Sequence, residues 1–324
     1  MMKKKINIAN VMPVIILVAL FAVFAVITRG EILKRSNLLA IVNQSVATII
    51  AGLGMMFVIS LGGTDITAGS LVALAGTLAA MAGSSLGFGF AWLAAIGVGI
   101  ASGLFLGIVN TKFKVSSFMA SLAMLMALRA LVNWILNSRV VMASKAIRAL
   151  DGFEYKIPIL IVLILIVGYV FKFTPFGYYC RAIGENENAM KFIGIPVSRI
   201  KIFAFIISGV MASIAGIFAV ARVGGASNTM GASFEMRVMM AMFIASIPVS
   251  GGSGTKIYKL IIGAFTILIL ESGLTFCGAS GAVTQGIRGL VLIGVVYLTQ
   301  VLKDSSESGR LSRTKERAAQ AQAK

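Results

Sequence analysis

Apolar runs of about twenty residues, separated by short polar or glycine-bearing segments, recur along almost the whole chain. They fall at about 11–28, 40–61, 66–83, 91–110, 118–137, 157–173, 201–221, 236–250, 257–275 and 284–302. Each is close to the ~20 residues with which an α-helix crosses a ~30 Å hydrocarbon core. Backbone polar groups in lipid must be satisfied internally, which a helix does. The pattern predicts an all-α polytopic transmembrane helical bundle of about ten spans, with residues 1–302 as one membrane body and 303–324 as a polar, basic tail. The first run follows a basic start at Met1–Lys5 and has no small-residue cleavage site before Arg29, so it reads as a retained span. The eighth run is short and contains Pro248. The third begins directly after Gly62-Gly63.

Composition agrees: 58% of the residues are hydrophobic and 12% charged, whereas soluble domains have roughly half and a quarter. Lys and Arg number 29 against 11 Asp and Glu, a net charge of +18. The basic residues are scattered over short loops and the termini, not along one face, which argues against a nucleic-acid surface. Such an excess is the mark of cytoplasmic loops. With ten spans and a cytoplasmic N-terminus, about 18 of the 29 basic residues fall in or beside the cytoplasmic segments. Both termini are therefore expected on the cytoplasmic side of the cell (inner) membrane. Arg139, Lys145, Arg148 and Lys156 run against the bias, in an outside loop.

The absence of His and the presence of only two Cys exclude a Cys/His metal site, a His-based triad and a His proton relay. Cys180 and Cys277 fall on opposite sides of the membrane in this topology and cannot pair. No cofactor is called for.

The longest cytoplasmic loop predicts a short helix over about 185–193. Glu185 and Glu187 suit its first turn, Lys191 its last, Gly194 the left-handed C′ position, and Pro196 prevents continuation. Ala189, Phe192 and Ile193 share an apolar stripe. So short a helix is marginal alone and needs a surface to pack on, either the bundle and lipid headgroups or a partner. Gly62-Gly63 and Gly251-Gly252 each sit between two apolar runs, a faint internal echo of the kind transporters use. Asp65 or Thr67 can cap the following helix; a direct role for Asp65 with substrate is the alternative. Gly99, Gly103 and Gly107 form a small-residue face suited to close helix packing. Arg129, Asn133 and Asn137 form a polar stripe that either lines a hydrated path or bonds to neighbouring helices. Glu271, late in the ninth run, and Arg288, early in the tenth, both fall near the outer surface, and the sequence leaves open whether they pair.

Three segments resemble one family. The run from Ala182 to Ile195 looks like the cytoplasmic coupling loop of the ribose-type permeases, the membrane subunits of monosaccharide importers of the ATP-binding-cassette (ABC) superfamily. It keeps Glu187, Ala189 and Gly194 and departs at Asn188 and Met190. The stretch Leu61–Ser70, with Gly62, Gly63, Asp65, Thr67, Gly69 and Ser70, is similar to that family's Gly-Gly-Ile-Asp-Leu-Ser-Val-Gly-Ser signature. Ser250–Thr255, with Gly251, Gly252 and Gly254, resembles its Ser-Gly-Gly-x-Gly-Ser stretch, while Ala245–Pro248 departs from the pattern. The resemblance implies carbohydrate import through a dimer of permease subunits, identical or paralogous. It also implies a separate ATP-binding subunit docked on 185–194 and an extracytoplasmic sugar-binding protein above. The chain carries no Gly-Lys-Ser/Thr phosphate loop, so it is not itself expected to be an enzyme. The main rival is a secondary transporter driven by an ion gradient. That would need embedded carboxylates; Asp65 and Glu271 are the candidates, and neither is central to a span.

Overall fold

A computed structural model describes residues 8–248, 250–294 and 297; the expected tail at 303–324 lies outside the described residues. The helices are α1 (Ile8–Ile27), α2 (Arg35–Ser60), α3 (Ala68–Ser85), α4 (Phe88–Lys112), α5 (Ser117–Leu136), α6 (Lys145–Ala149), α7 (Phe153–Phe173), α8 (Pro175–Glu185), α9 (Glu187–Phe192), α10 (Val197–Val223), α11 (Phe234–Ile244) and α12 (Ile257–Phe276). Residues 281–294 are helical as well. Two two-residue strands, Val141–Met142 and Gly225–Ala226, pair antiparallel at one end.

The centre of the bundle is α10, which packs on α2, α3 and α4. The second half of α2 is buried on every side, as an all-round apolar helix must be. The α4–α10 seam uses the small-residue face read from the sequence. Gly99 lies against Gly209, Gly103 against Phe205 and Ile206, and Gly107 against Ile202. A Cβ at Gly99 would stand 2.6 Å from the Gly209 carbonyl oxygen. Lipid tails are as apolar as leucine, so close packing rather than water exclusion holds such a seam. The outer faces of α4, α5 and α7 remain apolar and uncovered, with Leu93, Trp134 and Leu165 among the most exposed residues.

Among the described residues, seven helices are long and apolar enough to cross a membrane: α2, α3, α4, α5, α7, α10 and α12. Nine of the ten expected runs, 1 to 9, lie in described helices, two of them shorter than a full span, and the tenth is described only in part. The apolar part of α1 covers Val11–Ile27, and the described part of the tenth run is 281–294. The eighth, α11, has 11 residues, about 16 Å at 1.5 Å per residue, or half a bilayer core.

The shortness of α11 belongs to a wider pattern. After α2 the chain turns back into the bundle. The Ser208 hydroxyl, on the twelfth residue of the 27-residue α10, donates to Asp65 Oδ2 at 2.7 Å, roughly 17 Å from the start of that helix. Thus α3 begins inside the protein and runs to the end bearing the strand pair. The segment after α10 returns inward in the same way until Gly231 lies against Gly69. From there α11 runs to the opposite end, the one bearing α9. Two helix N-termini, those of α3 and α11, meet within the bundle.

Candidate coupling and translocation site

At the α9 end, Pro175 occupies the first turn of α8, where its missing N–H costs nothing. Arg181 Nη1 donates to the Phe171 carbonyl at 2.5 Å and its guanidinium stacks 4.8 Å from that residue's ring, fixing α8 against α7. The helix ends where Gly184 presses on the Ser60 carbonyl and the Gly252 backbone. Glu185 Oε1 accepts from Ser253 N at 2.8 Å and Ser253 Oγ at 2.9 Å. The Gly252 N–H donates to the Ser60 carbonyl at 2.9 Å, and Gly251 crowds Gly62. Gly62, Gly251 and Gly252 have φ of 77°, 83° and 91°, where a side chain would be strained. The two glycine echoes of the sequence therefore pack on each other, and α8 is clamped to both. Gly63 follows in the α2–α3 turn, and Gly254 lies over Pro248.

This corrects the expected 185–193 helix. Glu185 is the last residue of α8, not the first turn of α9. The break falls at Asn186, whose extended backbone carries a side chain that accepts from the Ala189 N–H at 3.0 Å. An asparagine at this N-cap outcompetes continuation of the helix, because it satisfies a donor that would otherwise be orphaned. At the far end Gly194 has φ 82°. Its N–H bonds to the Lys191 carbonyl, and that of Ile195 to the Met190 carbonyl, the hydrogen-bond pair of a Schellman motif. Glu187 bonds both Lys191 and Lys201, each at 2.7 Å, and so ties α9 to α10. Burial raises the Glu187 pKa, but the hydrogen bonds and charges of the two lysines outweigh it and hold this carboxyl below its usual value. None of the residues of α9 is buried. Ala189 is exposed, Phe192 is 91% exposed and Ile193 66%. The apolar stripe faces away from the bundle.

Inside the bundle, Asp65 is 2% exposed. Its Oδ1 accepts from Thr67 N at 3.0 Å and Thr67 Oγ1 at 2.6 Å, and its Oδ2 from Ser208. Ser70 Oγ donates back to the Thr67 carbonyl. Gly69, lacking a side chain, leaves room for the Gly231 carbonyl and the Glu235 carboxylate. Glu235 Oε2 is buried and has no hydrogen-bond partner among the described residues. Arg129 donates to the Met230 carbonyl at 2.7 Å and the Gly231 carbonyl at 3.1 Å, bracing the turn that starts α11.

The sequence stripe of Arg129, Asn133 and Asn137 is not brought to a common cavity. Arg129 turns inward to those carbonyls. Asn133 and Asn137 lie exposed on α5, with Asn137 ending the helix at φ 43°. Two embedded-carboxylate expectations also change. Asp65 does sit deep in the bundle, because 61–67 re-enters it. Glu235, which the sequence reading passed over, joins it at the α3–α11 junction; the short, charged start of the eighth run was the available signal. Glu271 pairs with Arg288 at 2.8 Å and also with Arg237 at 2.9 Å.

Residues 37–296 match the family described as branched-chain amino acid transport system / permease component. The chain belongs to that permease family. The ribose import permease RbsC of Escherichia coli K12 is 30% identical over 296 residues, covering 87% of this chain and 92% of the relative. The autoinducer 2 import system permease LsrC of Yersinia enterocolitica is 29% identical over 299 residues, 90% of this chain and 82% of the relative. The fructose import permease FrcC of Rhizobium meliloti is 25% identical over 307 residues, 90% and 85%. The resemblance to ribose-type ABC importer permeases, read from 61–70, 182–195 and 250–255, is thereby borne out. No solved structure matches. In this permease the three motif segments are neighbours in space, although more than a hundred residues separate the first from the last.

Proposed function

We propose that this permease forms the translocation path of an ATP-driven importer for a monosaccharide or similar small sugar, with the α9 end in the cytoplasm. The observation that carries the reading is α9 itself. Its two ends are fixed by Asn186 and Gly194 and its body is tied to α10 by Glu187, yet it presents Ala189, Phe192 and Ile193 to the surroundings. A rigid helix with an uncovered aromatic is built to be gripped by a partner. The partner is a separate ATP-binding subunit, as the family membership supports. Glu185, Gly184 and the 250–253 loop link α8 directly to the ends of α2 and α11, so a push on α9 reaches the half-helix junction through short, hydrogen-bonded steps.

A second permease copy, identical or paralogous, completes the path, and an extracytoplasmic binding protein delivers the sugar at the opposite end. The import relatives for ribose, fructose and autoinducer 2 support the substrate class. The start of α1 at Ile8 and the course of 281–294, whose Arg288 pairs with Glu271 near the far end of α12, support a cytoplasmic placement of both termini.

An ion-gradient-driven transporter is the second reading, favoured by Glu235 alone. Asp65 has three donors and Glu271 two arginines, whereas Glu235 Oε2 has no hydrogen bond among the described residues. Uptake in intact cells separates the two. An uncoupler applied at constant ATP should leave uptake intact; collapse of uptake under that condition would establish gradient coupling and remove the ATP-driven reading.

A further inference from the structure

A cavity of about 300 Å³ opens among α2, α7, the last turn of α10 and the 227–237 segment. That volume lies at the low end for small-molecule sites and suits a solute of monosaccharide size. The lining includes three cations, Lys156, Arg222 and Arg237, with the amides of Asn43 and Gln44 and the hydroxyl of Thr229. Lys156 is already engaged by Asp151 and Asn43. Arg237 shares Glu271 with Arg288. Arg222 makes no hydrogen bond or close ion pair among the described residues; it feels Asp151 and Glu271 only through space and is opposed by Arg237. Four cations (Lys156, Arg222, Arg237, Arg288) against two carboxylates (Asp151, Glu271) leave two positive charges over. Glu235 does not cancel them, because it lies against Gly69 with Arg129 as its counter-charge.

Arg237 reaches this cavity from the α11 start within the bundle, whereas Lys156, at the start of α7, and Arg222, at the last turn of α10, lie at the end of the bundle away from α9. There basic residues run against the positive-inside bias, and Arg148, one of the exceptions seen in the sequence, sits beside Gly224 at the same end. Arginine within a membrane bundle is costly and faces a cavity or a partner when it is kept. An ordinary neutral sugar needs hydroxyl and amide partners but no spare guanidinium.

Resting on the importer reading, we infer that this cavity receives a small polyhydroxylated anion, such as a sugar acid, with Arg222 as its carboxylate-binding group. The lining amides and Thr229 then serve the hydroxyls, and Lys156 and Arg237, held by their own partners, set the field without closing on the ligand.

The test uses the full chain in nanodiscs of zwitterionic lipid, so that no anionic headgroup competes. Thermal unfolding is followed with D-ribose, D-ribonate, D-galacturonate or sodium sulfate at matched ionic strength. A sugar acid should raise Tm saturably, with half-saturation roughly tenfold below that of ribose, as one charge-assisted hydrogen bond provides. Arg222→Gln should abolish the preference and Arg222→Lys should retain most of it. Equal effects of ribose and the acids, sulfate acting as well as the acids, or an unchanged preference in R222Q would each overturn the inference. The readout needs no ATPase. Failure here with normal ATP-dependent uptake leaves the importer reading standing, and acid binding with gradient-driven uptake does the reverse.

Discussion

Phe192→Ala separates docking from folding, because the residue is already 91% exposed. Its removal takes almost no contact away from the bundle, so the stability of the isolated permease should change by less than about 0.5 kcal/mol, as for surface substitutions elsewhere. In the complex the same ring would be covered by the ATP-binding subunit. Burying a phenylalanine side chain is worth about 1.5–3 kcal/mol, so the ATPase should bind roughly ten- to a hundredfold more weakly per site. Ala189→Asp on the same stripe should act more strongly, since an uncompensated charge in the contact costs several kcal/mol. Thermal unfolding of the purified permease reports the first quantity, and titration of the ATPase onto nanodisc-embedded permease reports the second. Weaker ATPase binding with an unchanged Tm is expected for both variants. ATPase affinity and uptake that are normal in both would show that α9 is not the coupling surface. A fall in Tm matching the fall in affinity would mean that α9 packs on its own bundle instead.

Three further outcomes follow from carboxylates and their partners. Asp65→Ala removes a buried acceptor for three donors just before α3, and should destabilise the bundle by about 2–4 kcal/mol; unfolding midpoints equal to wild type would deny it a structural role. Glu271→Ala leaves Arg237 and Arg288 without their shared carboxylate and should cost about 3–5 kcal/mol. Much of that should return when Arg288→Gln is added, and a double variant as unstable as the single one would rule the pairing out as the cause. The Glu187 carboxyl has its pKa lowered from 4.5, so its tie to Lys191 and Lys201 is fully present above that pH and is lost as pH falls through the lowered value. Protease cleavage within 186–194 should be flat near neutrality and rise only in that acidic window; a rise around pH 7 would point to another group.

Helix positions were legible because the signal is local. The apolar runs at 40–61, 91–110, 118–137, 157–173, 201–221 and 257–275 coincide closely with α2, α4, α5, α7, α10 and α12, since lipid demands continuous hydrophobicity from any spanning helix. The ends of α9 were partly legible for the same reason. Gly194 and Pro196 mark the stop, whereas the start was misplaced at Glu185 because Asn186 was not weighed as an N-cap.

Depth and neighbourhood were not legible. A run of apolar residues reads the same whether its helix spans the membrane or begins halfway through it, so the re-entry of 61–67 and the half-length of α11 emerge only from packing. That packing places Asp65 beside Ser208 and Gly69 beside Gly231 and Glu235. The apolar runs, the basic loops and the glycine motifs are enough to specify a polytopic helical permease. Only helix packing shows that the two glycine turns clamp α8, that Asn133 and Asn137 are not among the residues lining the cavity at Arg222, and that basic residues far apart in the chain converge on that cavity. Hydrophobicity is a property of each residue and is written along the chain. Which polar groups share a buried space depends on how helices cross, and the close approaches at glycines set those crossings only once the partners are in place.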